Sequence, residues 1–393
     1  MELSDEQKEF VPWFINNKSR VCVLTGHAGS GKTTVLGLLD KECKALWCCY
    51  THVAKSVLDS ALTRGSAMTV SSALNMRPHT YKGKWIFSPS GSGKINDANI
   101  VVVDEASTIS AEYLDLILDS NAKKILFVGD PEQLPPIDEV ESPVFSAGFP
   151  TYELTKIYRQ EGGKLLDFVT ETRTSGRNVA EKWGILRILP SNDNITEFYE
   201  RYGWEGVAVC PTNREKERCN RLARPIFAND PSKLTSKFYS GERLFLESPV
   251  GIDGPKNGAR VLITGDEPTR TKFMEFDVWK MEVEGQYNIF VPNNDQVVKA
   301  VRKQLKSLEK AYKSANIKRR EEINTEVTIL STQIIFASHG FAMTIHKSQG
   351  STFKHVLVLT NGMKSFEAGR FRQRMAYTAV TRASKTIVIC GNV

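Results

Sequence analysis

What this 393-residue sequence lacks narrows its class before any motif is considered. Its seven cysteines include the adjacent pair Cys48 and Cys49 but no Cys-x-x-Cys spacing, which leaves neither a zinc site nor a disulfide framework. No apolar run approaches the roughly 20 residues that a membrane-spanning helix needs. Met1 to Gln7 are polar and acidic, where a secretory signal would be basic and then apolar. There are no internal repeats and no extended low-complexity tract. These absences lead us to expect a protein of a reducing cytosol, away from membranes, with its cysteines as small core residues.

What is present points to a globular chain of two or three domains, with 41% hydrophobic and 25% charged residues. Lys and Arg total 52 against 45 Asp and Glu, a formal charge of +7 that suits contact with phosphates but does not by itself specify nucleic acid. Apolar runs rich in Val, Ile and Leu recur at Val21 to Leu24, Ile100 to Val103, Ile125 to Val128, Val207 to Val209, Val356 to Leu359 and Ile387 to Ile389. Helical patterns lie between several of them, so they read as buried parallel strands of an α/β fold.

The runs fall into two groups, and two parallel-sheet cores are expected. The first covers 1–155, and the second combines 156–232 with 333–393. The stretch 233–332 reads as an insertion, opening with short strands and turns that suggest a small β-barrel. It closes with a long helix whose apolar stripe is Val301, Leu305, Leu308 and Tyr312. A smaller insertion at 77–97 reads as an exposed hairpin.

Gly26-His27-Ala28-Gly29-Ser30-Gly31-Lys32-Thr33 matches the Walker A pattern residue for residue and stands between an expected strand and an expected helix. In such a loop the backbone N–H groups curl round the phosphates of ATP, the lysine reaches the β and γ phosphates, and the Thr33 hydroxyl binds Mg²⁺. Ile100 to Val103 then deliver Asp104 and Glu105 at a strand end, the first to hold the Mg²⁺ water shell and the second to orient and deprotonate the attacking water. A third strand ends near Gln133, whose amide either contacts the γ-phosphate or belongs to an ordinary loop. Gly91-Ser92-Gly93-Lys94 lacks the flanking strand and reads as a loop.

Together with Gly129-Asp130-Pro131-Glu132-Gln133-Leu134-Pro135-Pro136, these segments resemble motifs I, II and III of superfamily 1 helicases. Leu154 to Gln160 resembles motif IV, Thr344-Ile345-His346-Lys347-Ser348-Gln349-Gly350-Ser351-Thr352 motif V, and Tyr377-Thr378-Ala379-Val380-Thr381-Arg382-Ala383 motif VI. The wording of motif V and the two insertions are most similar to the Dda-like and RecD-like branch of superfamily 1B. That resemblance implies two RecA-like cores, with a hairpin pin in the first and a barrel plus helices in the second. It also implies an ATP-dependent helicase moving 5′ to 3′ on single-stranded DNA, in a bacterial or phage-infected cytosol. Such an enzyme acts as a monomer on duplex junctions, alongside replication or recombination proteins.

The resemblance also assigns roles. Gln7 would read adenine, Thr34 and Gly350 would join the ATP-binding set, and Arg159 and Arg382 would act as arginine fingers from the second core. Single-stranded DNA would be gripped by Thr51 and His52, Thr69 and Ser71, and Thr344 and His346, with either histidine equally readable as structural. Tyr50 stands where relatives carry Pro, and Ser71 where many have His. Trp85 and Phe87 alternate on the pin, either to stack on the junction base pair or to anchor the hairpin. An RNA helicase of related build and a nucleotide-gated clamp remain as alternatives, separated by stimulation with RNA against DNA and by strand displacement.

Overall fold

The six apolar runs are strands, and they organise two parallel sheets. The computed structural model describes residues 3–391 apart from 82–83, 90, 158–163, 176–181, 229, 251–253, 256 and 367–368, and without the side chains of 77–81, 84–88, 175, 309, 313, 317 and 364–365. By contact density the chain divides into a unit of residues 1–77, 89–216 and 344–393 and a second of 78–88 and 217–343. Both parallel sheets belong to the first unit.

In the first sheet the order is Ala67–Thr69, Leu46–Cys49, Ile100–Asp104, Lys124–Gly129, Val21–Gly26 and Thr151–Leu154, all parallel. Val101, Val102, Val103, Ile125, Leu126 and Phe127 have no exposed surface, as expected for a sheet covered on both faces. Each contributes roughly 1.5–3 kcal/mol by leaving water. One face packs on Phe10, Phe14, Val35, Leu36 and Leu39, the other on Ile109, Leu114 and Ile117. Cys22, Cys48, Cys49, Cys210, Cys219 and Cys390 are buried and form no disulfide, filling core space as small apolar groups.

The second sheet sets Gly206–Cys210, Phe353–Leu359, Ala383–Cys390 and Leu186–Ile188 side by side, again parallel. The helix Arg370–Val380 lies against it and is buried along its whole second half, from Arg374 to Val380. Parallel strands carry their C-terminal ends to one edge, and a loop that follows such an end is where an α/β fold builds a ligand site.

The second unit contains an antiparallel sheet in the order Tyr287–Pro292, Phe276–Val283, Arg260–Phe273, Arg243–Leu246 and Ala337–His339. The helices Asp295–Ser314 and Ile317–Gln333 pack on it through Val301, Leu308, Ile323 and Leu330. Of the expected stripe, Val301 and Leu308 are in this core, Leu305 packs against it partly buried, and Tyr312 is 37% exposed. Met76–Tyr81 and Lys84–Pro89 pair as a two-stranded ladder where the hairpin was expected. No helix among the described residues is long and apolar enough to cross a membrane.

Candidate nucleotide site

The strand Val21–Gly26 ends in a loop that turns into the helix Lys32–Glu42. Gly31 caps that helix at φ +82°, where an L side chain is strained, and a Cβ there would sit 2.3 Å from Gln7 Nε2. The loop is therefore held by its own backbone and by the helix Asp5–Asn16. Gln7 receives the N–H of its own capping partner, Ser4, on Oε1 at 3.1 Å and donates Nε2 to the Ser30 carbonyl at 3.1 Å. Lys32 Nζ donates to the carbonyls of Gly26 at 2.7 Å and His27 at 2.9 Å. Ser30 is fully buried, and its Oγ has no hydrogen-bond partner.

At the end of Ile100–Asp104 the backbone takes an unusual turn. Glu105 adopts φ +57°, ψ +43°, a left-handed conformation that costs a non-glycine residue about 1–3 kcal/mol. Its N–H donates to Asp104 Oδ1 at 2.9 Å. Burial and the neighbouring Glu105 charge raise the Asp104 carboxyl to about 7, against the opposing pull of the Glu105 N–H and of Lys32. A carboxyl this reluctant to ionise alone suits a site in which a cation completes it.

The loop after Lys124–Gly129 brings in Gln133, 5% exposed, whose Oε1 is buried without a partner and whose N–H donates to the Asp130 carbonyl at 3.1 Å. From the second sheet come Gly350, at φ +78°, and Arg382. The Arg382 guanidinium is 2% exposed and donates to the carbonyls of Thr378, Ser348 and Ser351 and to Thr381 Oγ1, at 2.8–3.2 Å.

These groups meet in one cavity of about 330 Å³. It is lined by Gln7, Ala28, Gly29, Gly31, Lys32, Thr33 and Thr34, by Asp104, Glu105 and Gln133, and by Gly350, Ser351 and Arg382. Gly26 and Ser30 do not line it; they act from behind, through the Lys32 and Gln7 contacts. Thr33 and Asp104, the residues expected to hold Mg²⁺, both line it. Among the described residues no cluster of three or more His, Cys, Asp or Glu is arranged to hold a metal. Arg159 lies outside the described residues.

Several residues expected to touch DNA have local structural partners. Thr51 Oγ1 caps the helix His52–Ala61 by accepting from Ala54 N–H, and Thr69 Oγ1 caps Val70–Ala73 through Ser72 N–H. Ser71 Oγ is 2.9 Å from the Tyr113 hydroxyl, and the Tyr113 ring stands edge-on to the exposed Tyr50. Thr344 Oγ1 accepts from Lys347 N–H at 3.4 Å. His52 and His346 are half-buried, and burial lowers the His346 pKa. Trp85 and Phe87 belong to the strand Lys84–Pro89, but their side chains lie outside the described ones.

Ser351, Asp130 and Tyr377 stood inside motifs V, III and VI without a role of their own, and Arg173 stood in none. Arg173 gave no signal and Tyr377 only its place at the head of motif VI, whereas Asp130 stood as a charged residue directly after an apolar strand, the same pattern that marked Asp104.

Comparison with known proteins agrees with this layout. Residues 2–187 match an AAA domain and residues 339–390 a UvrD-like helicase C-terminal domain. The chain is 24% identical to an uncharacterized protein of Acanthamoeba polyphaga mimivirus, over 95% of this chain and 96% of that one. It is 24% identical to the ATP-dependent DNA helicase dda of Enterobacteria phage T4, over 65% of each. The chain thus spans just under two thirds of that helicase. Its fold resembles the crystal structure of Pif1 helicase from Bacteroides in complex with ADP-AlF3 and ssDNA. The TM-score is 0.58 at 18% identity, covering 99% of this chain and 92% of that one.

Proposed function

We propose that the chain is a helicase of superfamily 1B, hydrolysing ATP to travel 5′ to 3′ along single-stranded DNA and part the duplex ahead of it, a reading supported by its two matched domains and its fold. The observation that carries the reading is the shared cavity: groups from the ends of three strands in one parallel core, and Gly350, Ser351 and Arg382 from the other, line the same space. A site made from two cores is completed only when both are in place, so turnover and relative motion of the cores are linked.

In this reading the N–H groups of Gly29 to Thr34 cradle the phosphates at the start of Lys32–Glu42, and Lys32 exchanges its two carbonyl partners for phosphate oxygens. Thr33 and Asp104 would hold Mg²⁺, which would supply charge neutralisation at the phosphates. Glu105 takes the proton of the attacking water, and the unpartnered Gln133 Oε1 accepts that water's other hydrogen. Arg382 stabilises the charge that gathers on the departing phosphoryl oxygens, joined by Arg159.

We take 1–155 and 156–232 with 333–393 as the two moving cores, with 233–332 as the inserted unit. Thr51, His52, Thr69, Ser71, Thr344 and His346 follow strand ends of these cores and form the sequence-neutral grip on the strand. Trp85 and Phe87 serve as the wedge.

Partial duplexes with either a 5′ or a 3′ single-stranded tail test the reading. Unwinding of the 5′-tailed substrate alone, with ATPase stimulated by single-stranded DNA, is expected. Unwinding from the 3′ tail overturns the polarity, stimulation by RNA alone overturns the substrate, and tight DNA binding without strand separation overturns the motor.

A further inference from the structure

Every residue from Arg374 to Val380 is buried, so the hydroxyl of Tyr377, 1% exposed, cannot be left to water and must be satisfied by protein. It meets two different elements of the first core. It accepts the Ala28 N–H of the Walker A loop at 3.1 Å and donates to Asp130 Oδ2 at 2.7 Å. Burial, followed by the Asp130 charge, pushes the phenol well above its usual range, so the hydroxyl keeps the proton it donates.

Asp130 has no exposed surface, and its other oxygen is also engaged. Oδ1 accepts from Glu132 N–H at 3.0 Å and from Arg173 Nη2 at 3.4 Å. One helical position later, Thr378 Oγ1 accepts the Leu134 N–H at 3.0 Å, and Gln349 Nε2 donates to the Leu134 carbonyl at 3.0 Å. Gln133, with its unpartnered Oε1 and its N–H on the Asp130 carbonyl, sits between these two anchors. Two consecutive residues of Arg370–Val380 therefore fix the loop on either side of Gln133, and one of them also fixes the Walker A loop.

We propose that Tyr377 is a positioning residue whose hydroxyl clamps Ala28 to Asp130 and so sets the Gln133 carboxamide against the bound nucleotide only when the second core is docked. This rests on the ATPase reading above and deepens it. The clamp makes hydrolysis sensitive to docking without Tyr377 touching the nucleotide. It differs from a packing role in one respect: packing needs the ring, whereas the clamp needs the hydroxyl oxygen.

The test is Tyr377→Phe in the full chain, read by steady-state ATPase with and without single-stranded oligothymidylate and by thermal melting. The ring and its packing remain, and two hydrogen bonds go. The DNA-stimulated kcat is expected to fall about ten-fold, with the ATP KM held within about two-fold. Loss of the Gln133 amide in Gln133→Ala should absorb the effect, so the double variant should be little slower than Gln133→Ala alone. A Tyr377→Phe enzyme with unchanged kcat, or two substitutions that multiply independently, overturns the clamp. Should Tyr377→Phe melt below the assay temperature, Asp130→Asn is judged by the same kcat and KM split. A wild-type protein without ATPase would defeat the underlying reading, whereas an active wild type matched by Tyr377→Phe defeats the clamp alone.

Discussion

The carboxamide of Gln7 bonds the carbonyl of Ser30 at 3.1 Å, which ties the first helix of the chain to the crest of the phosphate loop. Oε1 and Nε2 each spend one valence on Ser4 and Ser30 and each keep one more, an acceptor and a donor side by side. That remaining pair matches the N6 donor and N7 acceptor of adenine. Gln7→Ala is therefore expected to raise the ATP KM about ten-fold and to abolish any preference over GTP, since a guanine offers O6 in place of the N6 donor. Competition of the two nucleotides in an ATPase assay checks it. A variant that loses affinity for both nucleotides equally would leave Gln7 a purely structural strut.

Glu105 combines a role in the proposed chemistry with backbone strain at φ +57°. Glu105→Gln keeps the conformation and the size but loses the base. ATP binding should persist while kcat falls by about 10²–10⁴. Glu105→Gly should be inactive too, yet should melt higher, because glycine accepts the left-handed turn at no steric cost and relieves about 1 kcal/mol. Filter binding of ATP and a melting curve on both variants separate the two effects. A Glu105→Gly protein that melts lower than wild type would mean that the turn is not strained.

Asp104 makes folding depend on pH in a definite direction. Its folded carboxyl titrates near 7 against 3.8 for the free side chain, so between those values the folded state holds the proton more tightly than the unfolded one. Stability from this group is present below about pH 4 and is lost as pH rises towards 7. Asp104→Asn removes the titration, and without nucleotide or metal it should melt a few degrees above wild type at pH 8 and level with it at pH 4. Melting curves across that range test the sign. A variant less stable than wild type at pH 8 would show that the native carboxylate is already stabilised.

How far the sequence revealed this protein depended on how local each signal was. Val101 to Val103 and Ile125 to Val128 announced themselves because buried parallel strands need unbroken apolar runs. Leu46–Cys49 did not, since two cysteines stand where β-branched residues would be expected, and Leu186–Ile188 and Thr151–Leu154 are short and partly exposed. The hairpin joining Arg260–Phe273 to Phe276–Val283 turns at Met274, which holds φ +52° without the glycine or asparagine that marks such turns. Within the site, the Walker A loop and Asp104-Glu105 were readable because each follows its own strand. The Tyr377 to Asp130 bond joins residues 247 positions apart, and no pattern in either segment carries that information.

Arg382 was expected as a finger reaching across a cleft, and its surroundings add a second demand. The guanidinium lines the nucleotide cavity while donating to the carbonyls of Ser348 and Ser351 in the motif that holds Gly350. Its planar fork thus organises that loop as well as presenting charge, a task that an ammonium performs poorly. Arg382→Lys should keep the ATP KM within about three-fold and lower kcat at least about 10²-fold, because the charge remains and the fork geometry is lost. Arg382→Ala should lose turnover similarly and also melt earlier, since the buried Ser351 carbonyl loses its Arg382 donor, which costs about 1–3 kcal/mol. Steady-state kinetics and melting curves on both variants separate charge from architecture. A Lys variant that keeps wild-type kcat, or one in which only KM rises, would remove Arg382 from the transition state and leave it a scaffold for motif V.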